Sequence, residues 1–130
     1  MHNFNIYLTM LVIFLAIDML WLGVLSKNLY KEQMGSLKAK KPKWSAAILF
    51  YAIYIFGLYI LVIHPAVVDM SGLSTWWKGF VFGLAAYATY DLTNLAVIKN
   101  WPVKITFIDL LWGSTVTTLT TISVLYIFAR

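Results

Sequence analysis

Four long apolar runs divide the chain: Phe4–Leu25, Ser45–Ile63, Lys78–Ile98 and Lys104–Phe128. Each reaches the roughly 20 residues that a membrane-spanning helix needs. Lipid offers a backbone no other hydrogen-bond partner, so each run is expected to be helical. The first run resembles a signal peptide only in its position. It lacks a basic leading segment and a small-residue cleavage site, and it contains Asp18, so it is read as mature structure. The connections differ in character. The first, Ser26 to Lys43, has Leu29, Tyr30, Met34 and Leu37 spaced to lie on a membrane surface, and Pro42 is expected to end that element. The second opens on His64-Pro65, expected to stop the second helix, and continues through Asp69 to a Ser71-Gly72 turn. The third, Lys99 to Val103, is so short that the third and fourth helices must form an antiparallel hairpin.

Composition supports this pattern. Of 130 residues, 62% are hydrophobic and 12% charged, against about 25% charged in a soluble domain. The fold class predicted is all-α: one transmembrane domain over residues 1–130, an antiparallel four-helix bundle. Cysteine is absent, which excludes disulfides and thiolate metal sites. The net charge of +5 comes largely from one loop beside apolar spans, which favours a lipid surface over nucleic acid. Lys27, Lys31, Lys38, Lys40, Lys41 and Lys43 stand there against Glu32 alone, and Lys99 and Lys104 reach the same side. Lys78 and Arg130 fall on the other. The positive-inside rule then puts both termini outside. Trp44 and Trp101 fit the inner aromatic belt, Trp76 and Trp77 the outer one.

Polar residues inside the apolar runs carry the candidate chemistry. Asp18, Asp91 and Asp109 lie in the first, third and fourth runs, at a common depth of roughly 8–11 Å below the cytoplasmic surface. A carboxylate so placed is costly, and such residues usually mark a functional site. No lysine or arginine within the runs can pair with the three, so they are expected to converge on one interior site, with Asp91 held most firmly and ionised and one of Asp18 and Asp109 protonated. Tyr87 and Asn94 share its face, Tyr51 and Tyr54 of the second helix lie at matching depth, and Trp21 and Trp112 each follow an aspartate by three residues. Three carboxylates beside Asn94 and Thr93 suit a hard cation, but the spacing matches no metal motif, and no metal or cofactor is assigned. Gly79 and Gly83, with Ala86, form a small-residue face read as an internal helix contact rather than a dimer seam. The hydroxyls from Ser114 to Ser123 either line a polar path or bond their own helix carbonyls, and the second is preferred. His64 is read as a helix-end residue.

The strings Ile17-Asp18-Met19-Leu20-Trp21-Leu22-Gly23, Phe50-Tyr51-Ala52-Ile53-Tyr54, Thr89-Tyr90-Asp91-Leu92-Thr93-Asn94 and Asp109-Leu110-Leu111-Trp112-Gly113 resemble a family of small bacterial membrane proteins known as domain of unknown function 2177. The resemblance covers essentially the whole chain. It implies a bacterial, four-helix, multi-pass inner-membrane protein and transfers no activity. The residues themselves leave three readings open. The first is a site that binds or moves a proton, cation or small solute; transport would call for a homodimer, because four helices make too thin a wall for a pore. The second is an enzyme acting on a lipid or isoprenoid, with the aspartates as catalytic acid and base and the Trp21 and Trp112 faces steadying a cation. The third is a structural or partner-anchoring protein.

Overall fold

The computed structural model describes residues 2–25, 27–35 and 43–129. Leu37, Lys38, Lys40, Lys41 and Pro42, which figure in the reading of the first connection, lie outside these. Among the described residues the chain is all-helical. It runs through α1 (His2–Leu20), α2 (Lys27–Met34), α3 (Trp44–Leu58), α4 (His64–Val68), α5 (Trp76–Val97) and α6 (Val103–Phe128).

Three stretches are long and apolar enough to cross a membrane: His2–Gly23, Trp44–Val68 and Val103–Phe128. α5 has 22 residues, enough to span, but the polar run from Tyr87 to Asn94 makes it less apolar. Of the four runs expected to span, three therefore meet the requirement in both length and apolarity.

The second span also runs further than expected. His64-Pro65 does not stop it, because α4 follows directly on α3 through a wide π turn at Tyr59–Ile63. The His64 N–H bonds back to the Tyr59 carbonyl, five residues earlier. A wider turn relieves the clash between a proline ring and the carbonyl of the preceding turn, which makes an internal proline costly in a regular helix. A second π turn, Trp21–Leu25, follows α1 immediately after the Asp18 turn.

Packing follows from small residues and ring contacts. α5 and α6 lie antiparallel, joined by a tight turn in which the Trp101 N–H reaches the Ile98 carbonyl at 3.3 Å. Asn100 there takes a left-handed conformation, φ +67°, which asparagine tolerates better than most residues. Gly79 and Gly83 face α6. A Cβ on Gly79 would fall on the Thr121 side chain, and one on Gly83 would stand 2.7 Å from the Gly113 carbonyl oxygen. Gly113 in turn receives the Tyr87 ring. The small-residue face is thus consumed within the chain.

α6 runs through the core, with Ile105, Val116, Val124 and Leu125 buried. Its hydroxyls mostly bond their own helix: Ser114 to Leu110, Thr118 to Ser114, Thr120 to Val116 and Thr121 to Thr117. This satisfies each hydroxyl without a polar path. Ile6, Met10 and Phe14 of α1 and Tyr54, Ile55 and Leu58 of α3 complete the core. Large apolar side chains such as Val12, Ile48, Ile53, Leu61 and Leu111 point outward, as lipid-facing positions require.

Candidate functional site

The site begins with Asp18, in the last full turn of α1. It is 5% exposed, and both oxygens are engaged. The Tyr51 hydroxyl of α3 donates to Oδ2 at 2.5 Å, and the Trp112 indole Nε1 of α6 donates to Oδ1 at 3.0 Å. An indole N–H can only donate, so this pattern suits a carboxylate. One side chain therefore ties three helices together. Trp21, one turn on, stacks on Trp112 with centroids 4.6 Å apart and planes 12° from parallel.

Next to this node lies a half-enclosed cavity of about 640 Å³. Asp18, Trp21, Tyr51, Tyr54, Tyr87, Asp109 and Trp112 line it, together with Leu22, Phe50, Ala86 and Tyr90. The walls are thus largely aromatic, with two carboxyl groups, one from α1 and one from α6. Leu22, Phe50 and Tyr90 are 43%, 45% and 57% exposed and form its rim. Tyr54 is the hub of the inner wall: its ring meets Phe14, Phe82 and Tyr87 at centroid distances of 5.3, 5.2 and 6.1 Å. Its hydroxyl pairs with the Thr117 hydroxyl at 2.7 Å. Thr117 is the member of the α6 hydroxyl run that reaches across to another helix.

Asp91 and Asn94 are not part of the cavity lining. Asp91 is fully buried on the face of α5 that carries Gly79, Gly83 and Tyr87, and it interacts with Asp109. Neither of its oxygens has a hydrogen-bond partner among the described residues. This corrects the expectation that Tyr87 and Asn94 hold Asp91. The Tyr87 ring lies over Gly113. Asn94 turns instead to Tyr90.

Asp18 and Asp109 thus share the cavity wall, and Asp91 backs Asp109 across the α5–α6 contact. Among the described residues no three His, Asp or Glu side chains come together as a metal-binding group.

Tyr90, Phe50 and Thr117 were not singled out by the sequence as site residues. Phe50 and Tyr90 each adjoin a residue that was, Tyr51 and Asp91. In a helix, neighbours in sequence point about 100° apart, so adjacency gives no sign of a shared cavity.

A family model described as predicted membrane protein (DUF2177) matches residues 3–126, nearly the full chain. The chain belongs to the DUF2177 family. This DUF2177 protein is accordingly a membrane protein with apolar, membrane-capable helices. No curated protein and no solved structure matches it.

Proposed function

We propose that this DUF2177 protein is a multi-pass protein of the bacterial inner membrane that binds, and as a homodimer carries, a small organic cation. The observation behind this reading is the cavity. An aromatic box with carboxyl groups in its wall is the chemistry that holds alkylammonium groups: ring faces attract the cation, and a carboxylate balances its charge. The volume, about 640 Å³, falls within the range of small-molecule sites. The stacked Trp21–Trp112 pair presents the ring best suited to the task. Among the described residues no lysine or arginine lines the cavity, so a cation entering it meets no competing positive charge from them.

The accompanying topology is an antiparallel four-helix bundle with α5 as the fourth span and both termini outside. Support comes from the paired antiparallel contacts and from the lysines at 99 and 104. Burial of Asp91, with partial burial of Tyr87 and Asn94, removes the costliest part of the α5 polar run from the helix surface.

The test is equilibrium dialysis of the purified protein with tetraphenylphosphonium, a permanent cation with no proton of its own. Saturable binding is expected, weakened at least about tenfold in Asp18→Asn, as loss of one charged contact implies. Binding that is non-saturable, or equal in the variant, would contradict the reading.

A second reading, an enzyme acting on an isoprenoid, draws support from the exposed apolar rim of Leu22, Phe50 and Tyr90, past which a lipid chain would enter. It requires turnover of an added isoprenoid, whereas the carrier reading requires that the bound cation be recovered unchanged.

A further inference from the structure

The α5–α6 contact has an antiparallel register. Gly79 meets Thr121, Gly83 meets Thr117, and Tyr87 meets Gly113. One turn further, the same register sets Asp91 against Asp109, and the two side chains interact. The glycines above this pair let the two backbones approach closely. Asp109 also lines the cavity, whereas Asp91 stands behind it at 0% exposure.

Among the described residues the surroundings leave Asp91 without a donor. On its own helix, Tyr87 lies over Gly113 and Asn94 turns to Tyr90. From α6 the facing ionisable group is Asp109, and Lys104 is exposed. From α1, Asp18 is engaged by Tyr51 and Trp112. From α3, Tyr54 is engaged by Thr117. The loop that follows α5 carries Lys99, which is exposed. Apart from the contact with Asp109, both Asp91 oxygens are buried without a hydrogen bond among the described residues. A bare carboxylate in that position loses its hydration and gains nothing in return, so the group carries a proton or faces a bound cation. A hard metal ion asks for six or more oxygens, and no third acidic or histidine group joins this pair among the described residues. The proton remains.

We infer that Asp91 carries an exchangeable proton, held against Asp109, and that an organic cation entering the cavity beside Asp109 expels it. This rests on the cation-binding reading above and adds the coupling ion. In the empty state the Asp91 O–H donates to the Asp109 carboxylate. A cation beside Asp109 cancels the negative field that favours that proton. The Asp91 O–H bond then breaks, the proton passes by way of Asp109 and the open cavity to water, and the bound cation takes the proton's place in balancing the two carboxylates. One positive charge enters as one departs, so the charge of the site is conserved. By reciprocity, acid must weaken cation binding as much as the cation weakens proton binding.

Two measurements on the full chain test this. Infrared difference spectra of the ligand-free protein, titrated with acid, should show the carbonyl band of a protonated buried carboxyl. The band should vanish in Asp91→Asn, persist in Asp18→Asn, and move in frequency in Asp109→Asn, which keeps the proton on Asp91 but changes its acceptor. A band unaffected by both Asp91→Asn and Asp109→Asn would overturn the assignment, and so would the absence of any band.

With tetraphenylphosphonium added and a pH-indicator dye present, wild type should release up to roughly one proton per cation bound. Asp91→Asn should bind the cation and release none. Binding by wild type without release at any pH would overturn the coupling. If the cation does not bind while the Asp91 band is present, the cation-binding reading falls and the proton on Asp91 stands.

Discussion

The Trp112 indole donates to Asp18 across 94 positions of sequence, joining the first membrane-capable helix to the last. With Tyr51 on the other oxygen, this is where α1, α3 and α6 are fastened together beside the cavity. Trp112→Phe keeps a ring for the stack but removes the donor. The protein should lose about 1–3 kcal/mol, the penalty for leaving a buried charged acceptor short of a partner. Interhelical hydrogen bonds in membranes fall toward the low end of that range. Unfolding in graded sodium dodecyl sulfate reads the change.

Two of the cavity tyrosines, Tyr51 and Tyr54, should separate in their effects. Tyr51→Phe removes a hydrogen bond to Asp18 at the ligand wall, so it should reduce tetraphenylphosphonium affinity as well as stability. Tyr54→Phe breaks only the Thr117 pair. It should lower stability by about 0.5–1.5 kcal/mol and leave affinity within about twofold, a small fraction of 1.4 kcal/mol. Dialysis and detergent unfolding on the same two samples distinguish them.

Gly83 and Gly23 make a second contrast. A methyl at Gly83 would press on the Gly113 carbonyl oxygen and on Thr117, whereas one at Gly23 meets nothing within 4 Å. Gly83→Ala should therefore destabilise by about 1–3 kcal/mol, since a backbone carbonyl cannot swing aside. Gly23→Ala should be neutral or slightly stabilising. Loss of stability in both would contradict the close α5–α6 approach.

The loop after α4 carries a predictable response to acid. Asp69 accepts from the Ser71 hydroxyl and N–H, at 2.6 and 3.0 Å, and these bonds hold its carboxyl below the usual carboxylate range. A carboxyl lowered by folding stabilises the turn above its ordinary value, near 3.9. That contribution is lost only as pH falls through the lower folded value. The Ser71 amide resonance should thus stay unchanged through mild acid and move below about pH 4. Movement at neutral pH would contradict the turn.

Much of this architecture was legible in the apolar runs, which locate α1, α3 and α6 to within a few residues, and in the five-residue connection that forces α5 against α6. Asp18, Asp91 and Asp109 stood out for a physical reason, since ionisable groups are expensive in such runs. Other features were not legible. The expectation that His64-Pro65 ends a helix assumes a regular turn before it, and nothing in Tyr59-Ile60-Leu61-Val62-Ile63 marks the π turn that removes the clash. Helical spacing places Tyr87 and Asn94 on the face of Asp91, but it does not reveal that Gly113 draws the Tyr87 ring across the helix contact. The pairing of Asp91 with Asp109 depends on the register of two helices, which the glycines set in three dimensions.

The most direct test of the central claim is where a cation sits. Crystals grown with tetraphenylarsonium, whose arsenic scatters anomalously, should give a peak inside the cavity, between Asp109 and the Trp21–Trp112 stack. The same experiment on Asp18→Asn should weaken that peak. A peak confined to the lipid-facing surface, or none in the cavity at a saturating concentration, would contradict the account.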